Sequence, residues 1–204
     1  MDIYDRSDFV DIKEVIADIK TDVRYYRDYN FVGCRVDGYN AAKIYMTKEV
    51  AMSLKKASDE LNKMGYELLI YDAYRPLKAV KHFVRWAKDK EDIKMKEKFY
   101  PNVDKKDLFK LGYIAEYSSH CKGSTVDLTI TKDDKELDMG GYFDFFGGSS
   151  ASDYKDLSDE QLNNRKLLKD IMYKYGFTGI DSEWWHFTLR DEPYPDTYFD
   201  FDIE

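Results

Sequence analysis

Cysteine is nearly absent. Cys34 and Cys121 are the only two, too few for a disulfide framework and spaced for neither a zinc ribbon nor a Cys-x-x-Cys redox pair. Both are read as free thiols. Surplus basic charge is missing as well: Lys and Arg total 32 against 40 Asp and Glu, for a net charge of −8 and a pI near 5.0. That excludes the cationic footprint used to grip phosphate backbones, so no nucleic-acid partner is expected. No apolar run approaches the ~18 residues that a membrane span needs. Residues Met1 to Asp8 have neither the basic nor the apolar region of a signal peptide. The expectation is a cytoplasmic protein with no membrane partner. Prolines number four, and there is no internal repeat, linker or low-complexity tract. Residues 1–204 are therefore expected to form a single domain, with a homo-oligomer left open. Histidine is scarce too, at three, so a histidine in a metal-like pattern stands out. Aromatics, by contrast, make up 16% of the chain, with 18 Tyr, suggesting a core and cleft built from amphipathic rings.

Periodicity supplies the elements. From Thr47 to Met64, Val50, Leu54, Ala57, Leu61 and Met64 recur at helical spacing, with Thr47 placed to cap the start and Gly65 the end. Tyr66 to Tyr71 reads as a strand, leaving Arg75 just past its end on rigid support. Pro76 opens a second helix with Leu77, Val80, Phe83, Val84 and Ala87 on one face. His82 falls on its charged face and is expected to be solvated. Lys88 to Lys98 is a charged helix or excursion. Ser124 to Ile130 alternates as a half-buried strand, with Asp127 on the side away from the core. Ser158-x-x-Gln161 forms a capping box with a Leu157/Leu162 staple, opening a helix that Gly176 stops. Glu183 to Arg190 is read as a final strand region, and Asp191 to Glu204 as an ordered tail.

Taken singly, His120, Asp127 and His186 each have an ordinary structural explanation. Together they offer two nitrogens and one oxygen, the three-ligand set of a catalytic zinc whose fourth position holds water and lowers its pKa toward ~7. Glu183, three residues before His186, is then a general base beside the metal. Odd sequence offsets would point these side chains to opposite faces of an unbroken strand. The chain must therefore bend, with Gly123 as one break and Glu183 in the loop before the strand that contains His186. The pattern is not the His-Glu-x-x-His helix of the familiar zinc proteases.

Several segments carry a resemblance: Tyr71-Asp72-Ala73-Tyr74-Arg75-Pro76, Ser118-Ser119-His120-Cys121-Lys122-Gly123-Ser124-Thr125-Val126-Asp127, Asp138-Met139-Gly140 with Phe143-Asp144, and Glu183-Trp184-Trp185-His186 leading to Arg190-Asp191-Glu192-Pro193-Tyr194-Pro195. Over about Asp22 to Asp202 the chain resembles the D-alanyl-D-alanine dipeptidases of the VanX type. These belong to the zinc peptidases that share the hedgehog-like fold. The resemblance implies an α+β fold with a central antiparallel sheet flanked by helices. It implies one Zn2+ per chain on His120, Asp127 and His186, with Glu183 as base and proton shuttle. It adds Arg75 as oxyanion support, which spacing alone would have left as a structural ion pair. Asp144 would pair with the dipeptide's free amine, while Ser118 and Tyr25 contact substrate and Tyr113 lines the cleft. The implied reaction is hydrolysis of the dipeptide D-Ala-D-Ala to two D-alanines. That lowers the pool for cell-wall precursors, in glycopeptide (vancomycin-type) resistance or in D-alanine salvage.

Two rivals were weighed. A peptidoglycan D,D-carboxypeptidase would need export and an open amine subsite, and a zinc-stabilised binding module would need neither Glu183 nor Arg75. Cys121 adjoins the ligand His120, but neighbouring side chains on an extended chain diverge, so it is read as a small buried hydrophobe and not a fourth ligand.

Overall fold

The computed structural model describes residues 2–204. In chain order the strands are β1 (Phe9–Asp11), β2 (Lys20–Thr21), β3 (Tyr45–Thr47), β4 (Glu67–Asp72), β5 (Thr125–Lys132), β6 (Lys135–Glu136), β7 (Phe177–Gly179) and β8 (His186–Leu189). The helices are α1 (Ile12–Val15), α2 (Lys48–Lys63), α3 (Leu77–Lys88), α4 (Lys96–Phe99) and α5 (Asp159–Lys174). The main sheet runs β2-β4-β5-β8-β7, with β6 forming a hairpin on β5, and β1 pairs with β3 in a separate two-stranded ribbon. The α+β architecture is as expected, and every pairing is antiparallel except β2 with β4, which is parallel. At two residues, β2 is too short to show the alternation by which a strand is recognised in sequence.

The long helices form for the reasons visible in their sequences. In α2, Val50, Leu54, Ala57 and Leu61 are fully buried, and each large aliphatic side chain so buried contributes roughly 1.5–3 kcal/mol. Thr47 does occupy the N-cap, yet its hydroxyl makes no capping bond and is a buried oxygen without a partner. Gly65 ends the helix at φ 77°, the left-handed conformation that glycine adopts without steric cost. Pro76 sits at the N-cap of α3, one position ahead of its expected place in the first turn. The capping box of α5 is complete, with Ser158 and Gln161 exchanging bonds. Leu168, Ile171 and Met172 of that helix join Val126, Leu128 and Ile130 of β5 in one connected core.

Two local expectations need correction. Strand β5 is buried on both faces from Thr125 to Thr131; on the face away from the apolar core, Asp127 lines a cavity and the Thr125 hydroxyl meets that of Thr188 at 2.9 Å. His82 is not simply solvated. Its side chain is 16% exposed and its Nδ1 accepts a bond from the Asp37 amide at 3.2 Å. Burial pulls its pKa below the usual imidazole range.

Candidate metal centre and catalytic cleft

Register builds the centre. Across the middle of the sheet Asp72 of β4 lies opposite Asp127 of β5, and Asp127 lies opposite His186 of β8. Directly opposed residues bring their Cβ atoms to about 4.5–5.5 Å, so three strands deliver three polar side chains to one spot. His120 arrives separately, from a single 3-10 turn, Ser119–Lys122, in which the Ser118 hydroxyl accepts the His120 amide. Gly123 closes the turn at φ 77°, and a Cβ there would lie 2.3 Å from the Phe9 ring. The required bend is thus made by a residue for which only glycine fits.

His120, Asp127 and His186 offer ligand atoms that all lie within 4.8 Å of one another. The His120 Nδ1 donates to the Ala73 carbonyl at 2.7 Å; a carbonyl only accepts, so that ring nitrogen carries the proton. Its Nε2 faces Asp127 Oδ2 at 3.2 Å. In the neutral ring this sets an acceptor against an acceptor, which a proton or a metal cation must bridge. Asp127 Oδ1 is buried without a hydrogen-bond partner, 3.2 Å from His186 Nδ1. The other nitrogen of His186 contacts Ser119 Oγ at 3.3 Å. Imidazoles oriented through their outer nitrogens by a carbonyl and a hydroxyl match the outer shell of metal ligands. The donor set, two nitrogens and one carboxylate with no fourth ligand among the described residues, fits a catalytic zinc.

Electrostatics agree. Burial would raise Asp127, but His120 and His186 outweigh it and hold the carboxyl well below the usual range. Burial would lower His186, but the carboxylates of Asp127 and Glu183 beside it push it up to about 9. The proton so held on His186 is one that an incoming metal displaces. Glu183 lies in the loop before β8, its Oε2 3.4 Å from His186 Nδ1 and its side chain 35% exposed. It touches the cluster without belonging to it.

Arg75 enters between the acids. Its Nε donates to Asp72 Oδ2 at 3.0 Å, and its Nη2 lies 2.9 Å from the same oxygen and 3.6 Å from Asp127 Oδ2. Tyr39 donates to the other Asp72 oxygen at 2.7 Å. The guanidinium also faces the rings of Tyr25 and Phe83 at 5.0 and 5.3 Å. Although burial opposes its charge, Tyr25 and Asp72 keep its pKa well above the ordinary value.

Asp144 is buried at φ 63°, a left-handed conformation uncommon outside glycine. Its Oδ2 accepts the Tyr25 hydroxyl at 2.8 Å, and burial raises its pKa well above the carboxylate range. Ser118 caps the turn that carries His120. Tyr113 stacks on Phe146 with centroids 4.8 Å apart. All nine residues singled out in the sequence, Tyr25, Arg75, Tyr113, Ser118, His120, Asp127, Asp144, Glu183 and His186, line one cavity of about 460 Å3. Cys121 lies outside the cluster, fully buried, its thiol pushed up to about 12 by burial. Sequence reasoning missed Asp72, Tyr39 and Ser119. Asp72 stands in the same motif as Arg75, three residues before it, and that spacing was the available signal.

A family model described as D-ala-D-ala dipeptidase matches residues 5–204. A protein of Enterococcus faecalis named D-alanyl-D-alanine dipeptidase is 43% identical over 197 residues, spanning 96% of this chain and 98% of that one. Its namesake in Streptomyces coelicolor is 40% identical over 198 residues, again with 96% and 98% coverage. In Escherichia coli a protein of the same name is 30% identical over 186 residues, covering 91% of this chain and 86% of its own length.

Proposed function

Because the chain belongs to the D-alanyl-D-alanine dipeptidase family of metallopeptidases, we propose that it hydrolyses free D-alanyl-D-alanine to two D-alanines at a single zinc site. His120, Asp127 and His186 are the ligands. The observation that carries this reading is one cavity holding both that cluster and Asp144, a buried carboxyl with no ion pair among the described residues.

Zinc bound there supplies Lewis acidity at the scissile carbonyl and the attacking water. Glu183 accepts the proton of that water and returns it to the departing amine, a role suited to a carboxylate that is near the cluster yet partly exposed. Arg75 faces the oxygen on which negative charge develops. Asp72 and Tyr39 fix the guanidinium before substrate arrives, so little reorganisation is needed as charge builds. Asp144 pairs with the dipeptide ammonium, and the Tyr25 hydroxyl keeps its second partner in place. An N-acylated peptide has no charge to offer, so it would leave Asp144 buried and unpaired. That disfavours longer chains and carboxypeptidase action. Ser118 and Tyr113 complete the substrate wall. The physiological outcome is depletion of the cytoplasmic D-Ala-D-Ala pool that feeds wall precursors.

The test is release of D-alanine from D-alanyl-D-alanine by protein of counted zinc content, before and after chelation. Chelator-sensitive cleavage restored by zinc is expected. Zinc-replete, folded protein that cleaves no dipeptide would contradict the proposal.

A further inference from the structure

Helix α5 supplies no residue to the ligand cluster or to the cavity lining, yet one of its side chains ties down the segment that carries Asp144. Arg165 is 8% exposed and, among the described residues, makes no ion pair with a carboxylate. Instead each guanidinium nitrogen donates to a different main-chain carbonyl. Nε reaches Met139 at 2.6 Å, Nη1 reaches Ala151 at 2.7 Å, and Nη2 reaches Ser149 at 2.6 Å. Met139 precedes Asp144 by five residues, and Ser149 and Ala151 follow it by five and seven. One planar fork thus holds both stems of the loop. Asn164, its neighbour on α5, adds a bond to the Asp138 carbonyl at 2.9 Å.

A buried cation is costly, and burial lowers the pKa of this one. Carbonyl dipoles in a rigid three-way geometry compensate for it, and lysine, with its compact ammonium, cannot reproduce that fork. The held loop is also strained where it matters. Asp144 adopts its left-handed backbone without being glycine, and such conformations persist only where the surroundings over-determine them. The ring of Phe143 stacks on Tyr71 with centroids 4.5 Å apart and fixes the loop apex, while Arg165 fixes the stems. The stems are coupled onward as well. The Ser150 carbonyl accepts the Trp184 amide at 2.9 Å, and the Ser152 amide donates to the Asp181 carbonyl at 2.8 Å, so the segment bearing Glu183 leans on the same clamp.

We propose that Arg165 is a positioning residue for substrate selection: by stapling both stems of the 139–151 loop it holds Asp144 where it reads a free amine. This rests on the reading of Asp144 given above. The experiment compares kcat and KM for D-Ala-D-Ala and its N-acetyl form in the zinc-loaded full chain, for the parent, Arg165→Lys and Arg165→Met. Each is made with Asp144 intact and as Asp144→Asn. Amide hydrogen exchange over 141–150 is followed in the same proteins.

The diagnostic is the ratio of kcat/KM for the free dipeptide to that for the acylated one. A displaced Glu183 or a partly unfolded population slows both substrates and leaves the ratio alone, whereas a displaced Asp144 lowers it. Both Arg165 variants are expected to lower the ratio at least about tenfold, mainly through the KM of the free dipeptide. They should also speed exchange over 141–150 and have no further effect on the ratio once Asp144 is Asn. Should the methionine variant not fold, the lysine variant carries the test. A folded, metal-loaded Arg165→Lys with the parent ratio, or an equal drop in the Asp144→Asn background, overturns the clamp. If Asp144→Asn alone keeps the parent ratio, it is the amine reading that fails, and the clamp's role in selection falls with it.

Discussion

Asp72 and Asp144 are near twins in their immediate chemistry. Both are buried, each accepts one tyrosine hydroxyl, Tyr39 at 2.7 Å and Tyr25 at 2.8 Å, and burial pushes both carboxyls upward. They differ in what else meets them. Asp72 ends β4 and is paired with Arg75 by one hydrogen bond and a second close contact, while Asp144 stands in a loop at φ 63° with no ion pair among the described residues. A carboxylate with its cation built in is scaffold: it aims the guanidinium. A carboxyl that no cation among the described residues neutralises suits a cationic ligand, and a dipeptide ammonium is the cation proposed here. The comparison also separates strands from loops. Register across β4, β5 and β8 places Asp72, Asp127 and His186, whereas the loops 139–151 and 180–185 place Asp144 and Glu183.

The largest expected effects lie at the ligand cluster and the two charged groups beside it, Glu183 and Arg75. His186→Ala should lose both zinc and turnover, measured by metal content and D-alanine release, and full activity would break the three-ligand assignment. Glu183→Ala should keep stoichiometric zinc while turnover falls roughly 10²–10⁴-fold; loss of the metal would show that Glu183 is itself a ligand. Arg75→Ala should lower kcat about 10²–10³-fold. It should also destabilise the fold by about 3–5 kcal/mol in chemical denaturation, because Asp72 is left buried without its partner.

Smaller but sharper is one substitution made at both twins. Asp72→Asn strands Arg75 and should lower the denaturation midpoint. Asp144→Asn removes a buried carboxyl with no cation and should leave the midpoint unchanged or raise it. Equal losses at the two positions would erase the distinction. In the metal-free protein folded Asp144 keeps its proton to higher pH than the unfolded chain does. Its presence therefore costs stability progressively as pH climbs from about 4, where the unfolded carboxyl ionises, through the folded value. The stability difference between Asp144→Asn and the parent should grow over that interval and stay flat below it.

Much of this was readable before the structure. Three histidines leave few metal sets, and His120, Asp127 and His186 converge. The bend at Gly123 and the loop position of Glu183 follow from strand periodicity, which two of the sequence offsets violate. The helices over 48–63, 77–88 and 159–174 announce themselves by their apolar stripes. What escaped has a common cause. Strand β2, at two residues, is defined by its neighbour, not by its own pattern. Arg165 acts on carbonyl oxygens, which every residue possesses, so its targets have no side-chain signature. Asp72 lies inside a quoted motif, but its pairing with Tyr39, 33 residues earlier, exists only once the chain is folded.

The most direct test of the account is calorimetric binding to zinc-loaded Glu183→Ala, which isolates recognition from turnover. D-Ala-D-Ala should bind at least about 100-fold more tightly than its N-acetyl form, and Asp144→Asn in the same background should bring the two affinities together. Equal affinity for both dipeptides with Asp144 intact would contradict the claim that this carboxyl takes its cation from the substrate.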